Sequence, residues 1–104
     1  MILYPAIDIL DGRAVRLVRG EFDQATEYAE PLEAARRWAS AGAARLHVVD
    51  LDGARAGAPM NHEHVERIAA EVGLPVQLGG GLRSRDAIAD ALRAGASRVV
   101  LGTA

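Results

Sequence analysis

With 104 residues, 50% of them hydrophobic, the chain has room for one modest domain at most, and its formal net charge of −2 supplies no basic field for nucleic acid or an anionic membrane. It contains no cysteine, which excludes disulfides, a thiolate nucleophile and cysteine-held metals. No window approaches 18 apolar residues and the start carries no basic leader, so a soluble, cytoplasmic protein is expected.

The first predicted element is the apolar run at 2–7 (ILYPAI), read as a strand buried on both faces, with Asp8 directly after it. The segment at 11–20 (DGRAVRLVRG) sets Val15 and Leu17 on either side of Arg16, as in a short strand, but Val18 breaks the alternation. A structured loop is expected there. A helix follows over 31–42 (PLEAARRWASAG), with Pro31 suited to the first turn and Gly42 as its stop. The second strand, 45–51 (RLHVVDL), contains His47 and delivers Asp50 and Asp52 at its end. A second helix covers 61–73, capped by Asn61 and ended by Gly73. The third strand, 75–78 (PVQL), runs straight into Gly79, Gly80 and Gly81. A third helix spans 84–95, with Ser84 as cap, Asp86 in its first turn and Gly95 at its end. The fourth strand, 98–101 (RVVL), leads to Gly102 and Thr103.

Four strands alternating with three helices predict an α/β fold built of parallel βα units with right-handed crossovers. An internal echo supports a repeated unit: AGAARLHVV from Ala41 and AGASRVVLG from Ala94 share a helix end, a turn and a strand start. The same pattern would also arise if every helix exit used glycine followed by small residues.

Ligands in such folds meet the carboxyl ends of the strands, and all four predicted ends are acidic or glycine-rich. A run of bare glycines ahead of a helix start lets backbone N–H groups approach an anion, and phosphate suits that arrangement best. The spacing fits neither a dinucleotide fingerprint nor a P-loop, and a simple tight turn is the plainer alternative. Gly102 and Thr103 offer further N–H groups and a hydroxyl. Asp8, emerging from an apolar strand, would have a raised pKa suited to proton transfer, unless it merely caps or pairs. His47 in a strand is more often a satisfied core residue than a catalyst. Arg16 and Arg83 are loop arginines able to grip phosphate or carboxylate, although surface arginine is the commoner explanation. His62 and His64, two apart on a helix, cannot face one ligand together, and no metal is expected. Trp38 reads as core packing.

Taken together, PAIDILDGRAVRLVRG, LHVVDLDGA, PVQLGGGLRS and RVVLGTA resemble the sugar isomerases of histidine biosynthesis, the phosphoribosylformimino-aminoimidazole carboxamide ribotide isomerase family, over nearly the whole chain. The resemblance implies a (βα)8 TIM-type barrel assembled from two similar halves, of which this chain would be the N-terminal half. It implies an Amadori rearrangement of an aminoaldose to an aminoketose on a bisphosphorylated sugar-nucleotide substrate, with no metal or organic cofactor. By resemblance Asp8 is the base that removes the sugar C2 proton. Gly80, Gly81, Gly102 and Thr103 are one of two phosphate grips, and Arg16, His47 and Arg83 contact substrate. The family's general acid and second phosphate grip belong to the other half. The chain is therefore expected to self-associate or to pair with a complementary half-barrel, and to be poorly active as a monomer. A relative that also isomerises phosphoribosylanthranilate, the cyclase subunit of the same pathway, and a non-catalytic half-barrel assembly module are the competing readings. A glycine at position 79, where dual-substrate relatives often carry serine, favours the single-substrate one.

Overall fold

The computed structural model describes residues 4–18 and 21–101. In chain order the elements are β1 (Ala6–Leu10), β2 (Arg13–Val18), β3 (Glu21–Ala29), α1 (Pro31–Ser40), β4 (Leu46–Asp50), α2 (Leu51–Ala56), α3 (His62–Val72), β5 (Val76–Gly79), α4 (Arg85–Arg93) and β6 (Arg98–Val100). The strands form one sheet in the order β3-β2-β1-β4-β5-β6. β1, β4, β5 and β6 are parallel neighbours, as the βα reading requires. The helix predictions hold for Pro31 at the first position of α1, for Gly73 as the left-handed C-cap of α3, and for Ser84, whose hydroxyl accepts from Ala87 N at 3.0 Å.

Three local expectations are corrected. The loop expected at 11–20 is, over its described part 11–18, a turn and a strand: Asp11 (φ 53) and Gly12 (φ 73) make a two-residue turn with both residues at positive φ, and β2 folds back antiparallel on β1. β3 extends that arm. The first strand, expected at 2–7, spans Ala6–Leu10 among the described residues, so Asp8 lies within it rather than after it. The short helix α2 was not foreseen: Asp50 caps it by accepting from Gly53 N, and the left-handed Gly57 ends it.

Helices α1, α3 and α4 pack on one face of the sheet. Ile7, Ile9, Leu46, Val48, Val76 and Leu78 point into a core shared with Ala34, Ala35, Val65, Ile68 and Ala91. Trp38 packs against the same core, as expected. Because successive strand side chains alternate in direction, the intervening residues Ala6, Asp8, His47, Val49, Gln77, Gly79, Arg98 and Val100 fall on the opposite face. The apolar runs therefore bury one face under helices, not both. At the carboxyl end of the second face a small cluster of Leu10, Val15 and Leu51, with Val49 packed against it, closes part of the surface.

The sequence echo has a structural counterpart. Ala41 and Ala94 end their helices in right-handed conformation, and Gly42 (φ 96) and Gly95 (φ 113) follow at positive φ. Ala43 N donates to Trp38 O and Ala96 N to Ala91 O, both at 3.1 Å, the long closing bond of a Schellman-type stop. The exit of α3 differs, with the left-handed glycine at the cap position itself. Two of these three exits thus share one geometry, the common glycine stop of helices.

Candidate functional site at the carboxyl ends of the strands

The parallel register sets Asp8 opposite Val49, Val49 opposite Gly79, and Gly79 opposite Val100. Asp8 and the start of the glycine run therefore occupy one row across the helix-free face. His47 sits one row nearer the amino ends, between Ala6 and Gln77. Asp8 is half-buried, and burial pushes its carboxyl above the ordinary value of 3.8, with the nearby His47 partly offsetting that rise. His47 Nδ1 is buried with no hydrogen-bond partner.

The glycines are needed for a close backbone approach. A Cβ on Gly80 (φ 101) would stand 2.3 Å from Asp50 O, and one on Gly81 (φ 79) would stand 2.6 Å from Gly53 O. The loop after β5 is thus pressed against the junction of β4 and α2, main chain on main chain. This accounts for two of the three glycines sterically, whatever else approaches them. Gly79 is different: a Cβ there meets Val100 Cβ at 3.6 Å and His47 Cε1 at 3.9 Å, ordinary contacts.

A polar clamp that the sequence reading did not identify holds this double loop. Asp50, 3% exposed, takes four hydrogen bonds: from Gly53 N (2.8 Å) and Asn61 Nδ2 (2.7 Å) on Oδ1, and from Met60 N (2.7 Å) and Asn61 N (3.0 Å) on Oδ2. Asn61 Nδ2 also donates to Asp52 Oδ2 at 2.8 Å, and Asp52 Oδ1 accepts from Asp11 N, the β1–β2 turn, at 2.9 Å. Asn61 is indeed at the cap position of α3, yet its side chain makes no cap bond because it is committed to the two aspartates. Asp50 is accordingly a structural acceptor. The readable signal was an aspartate at a strand end with glycine three residues later, an N-cap pattern. Replacing Asn61 with Ala strands part of this buried acceptor set, and we expect urea unfolding to report a loss of about 2 kcal/mol.

The other predicted residues separate. Arg83 Nη1 lies 3.3 Å from the Cβ position of Gly57, so the guanidinium leans over the turn leaving α2, on the rim beside the glycine loop. Arg16 is not brought to the site. Val15 pairs with Asp8 and shares its face, which turns Arg16 the other way, into a cleft of about 220 Å³ with Ala34, Arg37 and Trp38 of α1 and its cap residue Ala41. Gly102 and Thr103 lie outside the described residues. His62 ion-pairs with Glu66 at 3.5 Å when protonated, and His64 sits under the β1–β2 turn, 3.5 Å from the Cβ position of Gly12.

Among the described residues no group of three or more His, Cys, Asp or Glu is disposed to hold a metal, and no helix is long and apolar enough to cross a membrane. A half-buried carboxylate level with a bare-backbone loop is an arrangement able to move a proton on a substrate anchored by an anion.

Comparison with known proteins converges on one family. The family model described as histidine biosynthesis protein matches residues 2–104. A relative from Thermomicrobium roseum is 58% identical over 106 residues, covering 100% of this chain and 43% of its own length. One from Chloroflexus aggregans is 56% identical over 105 residues, covering 100% of this chain and 44% of its own. One from Gloeothece citriformis is 53% identical over 104 residues, covering 99% and 40%. Each is named a 1-(5-phosphoribosyl)-5-((5-phosphoribosylamino)methylideneamino) imidazole-4-carboxamide isomerase. The chain thus spans less than half the length of the curated relatives it matches.

Proposed function

Since the chain belongs to the histidine biosynthesis protein family, whose fold is a TIM-type barrel and whose N-terminal part its parallel βα units represent, we propose that it carries the base and one phosphate grip of an aminoaldose–aminoketose isomerase. The observation that carries this reading is the shared row of Asp8 and Gly79 on the helix-free face. Two strand spacings, about 10 Å, lie between them. That span suits a ring-opened sugar whose terminal phosphate rests on the amides of Gly80 and Gly81, and Gly102 and Thr103 are assigned to the same grip. C2 of the sugar then comes within reach of the carboxylate.

In the proposed reaction the ring-opened substrate is a protonated imine at C1. Asp8 takes the C2 proton, the C2–H electron pair forms a C1–C2 double bond, and the imine π pair returns to nitrogen, giving an enaminol. Return of a proton to C1 and loss of the hydroxyl proton at C2 yield the aminoketose. No redox partner enters, because one carbon is reduced as its neighbour is oxidised. The raised pKa of Asp8 helps here, since a stronger base gains more in taking a carbon-bound proton. His47 and Arg83 are assigned to substrate contact. Arg16 is assigned no contact here, because it faces α1. A cytoplasmic setting goes with a substrate of two phosphates, which does not cross membranes unaided.

Proton return and the second phosphate need groups beyond these, so the reading includes pairing with a second half across the helix-free face. The test is to assay aminoaldose isomerisation by this chain alone and after mixing with the part of the Thermomicrobium roseum relative that it does not cover. Activity that appears only in the mixture is expected. Full turnover by a proven monomer would contradict the proposal.

A further inference from the structure

The helix-free face is not uniformly apolar. Toward the amino ends of the strands, Arg45, Gln77 and Arg98 line one cleft of about 160 Å³. Arg45 stacks its guanidinium over Tyr4, 4.9 Å from the ring centre, and its Nε is buried without a hydrogen-bond partner. His47, level with Gln77 and Arg98 and one row above Arg45, leaves its buried Nδ1 equally unpartnered. Neither Arg45 nor Arg98 has a carboxylate partner among the described residues, and the nearest acidic side chain on these strand positions is Asp8, one row beyond His47. A covered face with two such arginines would leave charges buried and unpaired, which proteins avoid. β6 is also an edge of the described sheet, with Val100 and Leu101 exposed.

We infer that this face docks a polypeptide segment that places a carboxylate in the Arg45–Gln77–Arg98 cleft, a segment of different sequence and not a second copy of these strands. A second copy brings four arginines to the layer and only the two Asp8 carboxylates, which the proposed chemistry keeps for the substrate. An acidic segment satisfies both guanidiniums, bidentate geometry included. This rests on the reading that the face is covered by a partner, and goes beyond it by fixing the partner's charge and excluding self-pairing.

The experiment is calorimetric titration of the chain with the uncovered part of the Thermomicrobium roseum relative, alongside sedimentation of the chain alone. We expect a one-to-one complex that weakens at least tenfold with Arg98→Glu, weakens again with Arg45→Glu, and is restored toward wild type by Arg98→Lys. Arg98 is exposed, so its variants should keep the native circular dichroism and melting curve. A complex of unchanged affinity in the Arg→Glu variants overturns the charge assignment while leaving pairing intact. No complex, or a homodimer that the added polypeptide does not displace, overturns pairing with a complementary chain altogether.

Discussion

Gly80→Ala is expected to destabilise the fold far more than Gly42→Ala. The new methyl meets Asp50 O at 2.3 Å and Asp50 C at 2.9 Å, both backbone, on a residue held at φ 101. Positive φ alone costs a non-glycine residue about 1–2 kcal/mol, and overpacking against backbone adds about 1–3. The sum, about 3 kcal/mol or more, is a large share of the 5–15 kcal/mol typical of a domain. Gly42→Ala separates the two causes, because Gly42 has φ 96 but nothing within 4 Å of its Cβ position. That variant should lose only about 1–2 kcal/mol. Urea midpoints at constant slope check both. Equal losses would mean that the Asp50 contact carries no weight.

Asp8→Asn is expected to trade activity for stability. An amide cannot accept the C2 proton, so kcat of the paired enzyme should fall by about 10²–10⁴ with KM little changed, the range for loss of a general base. Stability moves the other way. Burial raises the pKa of Asp8 in the folded state above the unfolded value of 3.8, so the folded chain holds this proton more tightly than the unfolded chain does. Stability contributed by the protonated form is therefore present below 3.8 and is lost as pH rises through the raised folded value. Asn removes that loss. The variant should melt above wild type at neutral pH, and the gap should close below the unfolded value. A variant that melts lower at neutral pH would mean that the carboxylate is instead satisfied in the fold.

The parallel half of the sheet was legible because strands under helices are rich in β-branched residues, and helix ends announce themselves through Pro31, Gly73 and Ser84. The hairpin arm was not, although its signal was present. Asp11-Gly12 is a strong two-residue turn dipeptide, but the register shifts between Ala14 and Val15 and between Arg16 and Val18 scramble the alternation that would have marked β2 and β3. Missing that arm also misplaced Arg16, whose face follows only from the pairing of Val15 with Asp8. For the glycines, sequence could state that something approaches closely. That the nearest object is the main chain of Asp50 and Gly53 depends on contacts between loops almost 30 residues apart, which no local pattern encodes. The Asn61 clamp was hidden for a related reason: the residue sits at the predicted cap and spends its amide elsewhere.

The most direct test follows the proton itself. The chain, paired with the uncovered part of the Thermomicrobium roseum relative, is given aminoaldose substrate deuterated at C2, and single-turnover rates are read by mass spectrometry. The account predicts slower turnover of deuterated than of protiated substrate and washout of deuterium to solvent, both abolished with turnover in Asp8→Asn. Turnover by Asp8→Asn at the wild-type rate, with the isotope effect intact, would contradict it.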